Sequence, residues 1–257
     1  GGVPILDLTE SNPTRCRFHY PKQLLESLAD PSSFTYEPDP KGLPAAREAV
    51  AALYRGKGIQ AKADAVLLTA STSEAYTFLL RLLCDPGDQV QVPRPSYPLF
   101  DYLAGLADVE PVNYPLRYDA RWKIDFERLA QAVTSRSRAV VAVHPNNPTG
   151  SCLTRQERDA LIEFCRVRSM ALIADEVFAE YRFSDGSTLP MSLAGSPEVL
   201  TFSLGGLSKF LGLPQMKLAW IGVTGPAAQV RSALQRLELI ADTTLSVNTP
   251  VQQALPE

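Results

Sequence analysis

The strongest constraint on the fold is a repeated local pattern: a short apolar run that stops at polar or turn-forming residues. Residues 65–68 (AVLL) lead into Thr69-Ala70-Ser71-Thr72-Ser73-Glu74, 139–143 (AVVAV) into HPNNPTG at 144–150, and 170–174 (MALIA) into Asp175-Glu176. A fourth run, 199–202 (VLTF), leads through Gly205-Gly206 to Lys209 in the string SLGGLSK. Runs without polar alternation suit strands covered on both faces, as in a parallel sheet flanked by helices. Amphipathic helix patterns fall over 43–54, 75–84, 126–133, 155–166 and 227–241. The alternation predicts a three-layer α/β/α fold with a mainly parallel, mixed sheet.

Open sheets of this class gather ligand chemistry at the carboxyl ends of their strands. Ser71, Asn147, Asp175 and Lys209 are therefore expected to line one crevice despite their separation in sequence. A lysine there has a use, because its amine forms a Schiff base once desolvation or a neighbouring charge leaves it neutral. Each residue taken singly also has a plainer reading. Lys209 suits a solvated surface, Asp175 a helix N-cap, and Asn147-Pro148 an ordinary turn. Ser71 followed by Glu74 fits a capping box, and Tyr97, in PRPSYPLF, fits a packed loop aromatic.

Taken together, the strings NNPTG (146–150), DEVFAEY (175–181) and GLSK (206–209) resemble the fold-type I pyridoxal-phosphate enzymes and, within them, the class I/II aminotransferases. The resemblance runs from LDLTESNPT (6–14) through Tyr36 and Gly42-Leu43-Pro44 to GLPQMKLAW (212–220). It implies pyridoxal 5'-phosphate as cofactor, an L-amino acid and a 2-oxo acid as substrates, and a homodimer with shared active sites. Lys209 would hold the cofactor as an internal aldimine and then move a proton between substrate and cofactor carbons. Asp175 would keep the pyridine nitrogen protonated, so that the ring acts as an electron sink. The resemblance further assigns Asn147 to the phenolic oxygen and Tyr97 to the ring face. The phosphate would fall to Ser71, Thr72 and Ser73 at a helix amino terminus. Tyr36 would reach the phosphate of the partner subunit, and Asn12 would touch substrate. The same lysine, aspartate and asparagine would equally serve a β-lyase, or a non-catalytic cofactor-binding or assembly protein.

The chain departs from the family pattern at named positions. Phe178 stands where many relatives have a tyrosine that donates to the phenolic oxygen. Gly206 replaces a serine three residues before the lysine, leaving Ser208 as the nearby hydroxyl for the phosphate. Lys217 replaces an arginine phosphate ligand and supplies charge without the planar fork. Family members continue beyond the position of Glu257 with a small domain on the order of 100 residues. The chain thus reads as truncated, without the arginine expected to grip the substrate α-carboxylate, and is expected to bind cofactor better than it turns over substrate. Gly1-Gly2 is not a natural start.

At 257 residues and 45% hydrophobic, the chain can bury one large core. The expected division is an N-terminal arm or part of a small domain at 1–32, a cofactor-binding large domain at 33–250, and the start of a C-terminal small domain at 251–257. A net charge of −3 without a basic cluster argues against nucleic acid or membrane surfaces as partners. Cys16, Cys84, Cys152 and Cys165, with only His19 and His144, show no metal-ligand spacing. Reduced thiols and the lack of a bilayer-length apolar run point to a cytoplasmic protein. Arg47, in LPAAREA, recurs in the family pattern as a structural residue.

Overall fold

The computed structural model describes residues 12–181 and 192–257. Its strands are β1 (Val66–Thr69), β2 (Gln89–Arg94), β3 (Glu110–Asp119), β4 (Arg121–Ile124), β5 (Ser137–Val143), β6 (Ala171–Asp175), β7 (Thr201–Gly206) and β8 (Ala219–Thr224). They form one 8-stranded sheet in the order β1-β8-β7-β6-β5-β2-β3-β4. The run β3-β2-β5-β6-β7 is parallel, whereas β8 is antiparallel to both neighbours and β4 to β3. The helices are α1 (Gln23–Glu26), α2 (Pro44–Gly56), α3 (Thr72–Leu83), α4 (Phe100–Gly105), α5 (Phe126–Ala132), α6 (Arg155–Val167), α7 (Leu207–Phe210), α8 (Ala227–Asp242) and α9 (Thr249–Ala254). The expected mixed α/β fold is the observed one.

The pleat distributes the apolar runs between two faces. Ala139, Val141 and Val143 of β5 pack with Phe78 and Leu79 of α3, Phe100 of α4 and Leu237 of α8. Val140 and Ala142 point the other way, onto Leu129 of α5 and Leu161 and Phe164 of α6. Beside that second layer, Val50 of α2 and Val251 of α9 cover Val66, Leu68 and Trp220. The boundary expected after residue 250 falls inside α9, whose Val251 is buried in this cluster.

The reversal at β8 has a local cause. A parallel connection needs a crossover of a dozen or more residues, usually with a helix long enough to span the sheet. The link from β7 to β8 holds only α7 and the 3-10 turn Pro214–Met216. The chain therefore turns back at the carboxyl end of β7 and leaves Lys209 there. Close strand approach supports the turn: a Cβ on Gly206 would lie 2.9 Å from the Ala219 Cβ, and one on Gly205 2.5 Å from the Trp220 indole. Glycine at 206, where the family pattern has serine, follows from that contact.

Candidate active site

The carboxyl ends of β5, β6 and β7 and the amino terminus of α3 surround a cavity of about 240 Å³. Ser71, Thr72, Ser73, Tyr97, Asn147, Asp175, Ser208 and Lys209 all line it, so the strand-end expectation brought distant residues to one place.

At one side stands the start of α3. The Ser71 hydroxyl caps the helix by accepting the Glu74 N–H at 3.1 Å. Glu74 reaches back one residue further than in a capping box, accepting the Ala70 N–H at 2.7 Å. Early amides of a helix have no intrahelical partner and carry the positive end of its dipole. With the hydroxyls of Thr72 and Ser73, this corner suits an anion.

The floor is Asp175, the last residue of β6, which is buried. Its Oδ2 accepts the Tyr76 Oη–H at 2.9 Å, and its Oδ1 accepts the Val177 N–H at 3.3 Å. Burial pushes the carboxyl up from its ordinary value, while the Tyr76 and Val177 donors and the charge of Lys209 pull the other way. Such a carboxylate is best matched by a cationic N–H donor brought into the cavity. Glu176, next along, points out of the cavity and is spent on structure, accepting the Leu193 N–H at 2.6 Å and the Ser192 hydroxyl at 2.7 Å.

Lys209 sits on α7, with its Nζ 5.7 Å from the Phe178 ring centroid, within cation–π range. The N-terminal arm braces the loop beyond it, as Tyr20 Oη donates to the Leu211 carbonyl at 2.7 Å. The paired asparagines of β5's exit divide their work. Asn146 is buried and staples the loop, donating to the Pro95 carbonyl at 3.1 Å and to Thr149 Oγ1 at 2.8 Å. Asn147 is thereby presented to the cavity. Tyr97 packs edge-on against Phe100.

Three expected site residues lie outside the lining. Lys217 is exposed in a left-handed conformation after the 3-10 turn. Asn12 is exposed and caps the 3-10 turn Pro13–Cys16, its Oδ1 accepting the Thr14 N–H at 3.0 Å. Tyr36 borders a separate cleft of about 60 Å³ and is 78% exposed. Sequence reasoning missed Tyr76 altogether. Its signal was a polar-tipped aromatic on the buried, aliphatic face of α3. It also missed Val143, Val177, Pro214 and Ala219, which supply apolar wall.

A family model described as aminotransferase class I and II matches residues 4–257. Among curated relatives, the glutamate-pyruvate aminotransferase AlaA of Haemophilus influenzae is 31% identical over 257 residues, covering 99% of this chain and 63% of its own length. An alanine aminotransferase of Mycobacterium tuberculosis is 31% identical over 258 residues, covering 99% and 60% respectively. The chain thus spans about three-fifths of the length of these relatives. Among solved structures, an aminotransferase from Escherichia coli superposes with a TM-score of 0.89 at 27% identity, over 99% of this chain and 63% of that one. An alanine aminotransferase from Pyrococcus furiosus gives 0.87 at 25% identity, over 95% and 63%.

Proposed function

The chain belongs to the class I and II aminotransferases, and from that premise we propose that it holds pyridoxal 5'-phosphate in the Lys209–Asp175 cavity and moves an amino group from an L-amino acid to a 2-oxo acid. The observation that carries this reading is the buried Asp175 carboxylate facing the same 240 Å³ space as Lys209, with the hydroxyl-lined start of α3 beside them.

The donor set fits the cofactor group by group. Thr72, Ser73 and the early α3 amides suit a phosphate, and Ser208 adds a hydroxyl nearby. Asn147 has an amide to offer a phenolic oxygen, and Tyr97 a ring face. Asp175, made costly by burial, recovers stability when a protonated pyridine nitrogen meets it. Bound there, the cofactor supplies an electron sink for bond breaking at the substrate α-carbon. Lys209 would hold the cofactor through its amine and, once free of it, would carry a proton at its Nζ. The apolar wall of Val143, Val177 and Phe178 limits water around that nitrogen.

The homodimer with shared sites belongs to the same proposal. Tyr36 and Phe34, 78% and 95% exposed, support it as apolar surface of the arm that a partner subunit would cover, with Tyr36 and Lys217 completing the phosphate end. A cytoplasmic location is supported by four free thiols. Among the described residues no helix is long and apolar enough to cross a membrane.

The relatives' names make alanine and glutamate the first donors to assay. Transfer of labelled nitrogen that requires a 2-oxo acid, at a rate low beside the extent of cofactor binding, is the expected result. Release of ammonia and pyruvate without an acceptor would replace transamination by a lyase step, and cofactor retention with neither reaction would favour the assembly-protein reading.

A further inference from the structure

Tyr76 links parts of the cavity that the sequence treats separately. It follows Ser73 by three residues on α3, so the two share a helix face. At 3% exposure it is buried, and its Oη donates to Asp175 Oδ2 at 2.9 Å. Its ring packs edge-on against Phe100, with centroids 5.2 Å apart, and Phe100 packs in the same way against Tyr97 at 5.9 Å. One rigid helix thereby carries both the hydroxyl corner and the phenol that holds the acidic floor.

Resting on the cofactor reading above, we propose that Tyr76 is a positioning residue, whose hydrogen bond to Oδ2 fixes the orientation of the Asp175 carboxylate toward bound pyridoxal phosphate. The two donors divide the carboxylate: Tyr76 takes Oδ2 and Val177 takes Oδ1. Each oxygen keeps a further lone pair for the cavity, and rotation about the Cβ–Cγ bond would break both contacts. A phenol donating to a carboxylate also favours the anion. Among the described residues, the other charged or titratable groups around Asp175 are Lys209 on α7, Tyr97 before α4, Glu176 next in sequence and His144 just after β5. Satisfying a buried phenol is the plainer role for the same bond, and the test must separate the two.

Tyr76→Phe keeps the ring and its contact with Phe100 while removing the hydroxyl. Asp175 has a raised folded value, so its contribution to stability is full at low pH and lost as pH rises through that value. Loss of the phenol raises the value further. In the cofactor-free protein, urea unfolding should therefore show Tyr76→Phe falling behind wild type progressively from acid to neutral pH, with no such widening in an Asp175→Asn background. Equilibrium dialysis should show pyridoxal phosphate dissociating from Tyr76→Phe about tenfold more readily than from wild type, the size expected for one charge-assisted hydrogen bond. A stability loss equal at every pH and in both backgrounds, or wild type and variant retaining the cofactor equally well, would overturn the inference alone. A wild-type protein that retains no cofactor would overturn the functional reading and the positioning role with it.

Discussion

Gly206 shows how one atom constrains the residues around the lysine. Its missing Cβ is the space that Ala219 Cβ occupies across the β7–β8 pair. We expect Gly206→Ala to destabilise the protein by about 1–3 kcal/mol through overpacking. Ala219→Gly in the same chain should recover only part of that loss, because the Ala219 Cα and Leu218 carbonyl stay within 3.2 Å of the added Cβ, and urea denaturation of the single and double variants checks both. Phe178 presents a comparable constraint of opposite kind, giving Lys209 an aromatic face but no hydroxyl. The sequence made Lys209, Asp175 and Asn147 legible because each ends or follows an apolar strand. It hid Tyr76 and Asn146, because their roles depend on partners 99 and 51 residues away.

Among the elements, α3 and α6 are capped alike and serve different ends. Thr154 and Glu157 form a full capping box at α6, remote from the cavity, whereas Ser71 caps α3 at its edge. Thr154→Ala and Ser71→Ala should each cost about 1 kcal/mol of stability. Only Ser71→Ala should also weaken pyridoxal-phosphate binding, a difference that thermal melts and dialysis would register. Legibility varied between strands for a physical reason. β5 and β6 each hold an unbroken apolar run, 139–143 and 171–174, and β7 begins within the mostly apolar 199–202, so their pattern identifies them. The QVQVPR of β2 alternates with glutamine and escapes that pattern, although Gln89 and Gln91 are buried. Gln91 Nε2 donates to Ser137 Oγ at 3.0 Å and Gln89 Nε2 to Glu110 at 2.7 Å, so neighbouring strands take up amide N–H groups that the sequence displays as polar, while Gln91 Oε1 has no partner among the described residues. β4 at the sheet edge and its neighbour β3 are mostly exposed or half-buried and carry little apolar signal.

Across the whole molecule, Arg47 ties the start of α2 to the loop before it and to the 3-10 turn Ala63–Ala65 that leads into β1. Buried at the start of α2, it donates to the Gly42 carbonyl at 2.8 Å and the Ala63 carbonyl at 3.1 Å, and lies 3.3 Å from Asp39. Its structural role in the sequence pattern agrees with these contacts. Arg47→Ala should cost about 2–3 kcal/mol, since it empties a buried site and leaves the Gly42 and Ala63 carbonyls unpaired. That loss should appear as a lower unfolding midpoint, with the borders of the 240 Å³ cavity otherwise intact. The proposed shared site predicts in addition that cofactor retention falls when the protein is diluted below its self-association range, which sedimentation and dialysis at matched concentrations would compare.

Lys209 is proposed as the residue that carries pyridoxal phosphate. Borohydride reduction of the cofactor-loaded protein, followed by peptide mapping, tests it most directly. The expected result is a pyridoxyl label on Lys209 in wild type and none at that peptide in Lys209→Ala. A label on another lysine, or no label on a folded, cofactor-saturated protein, would contradict it.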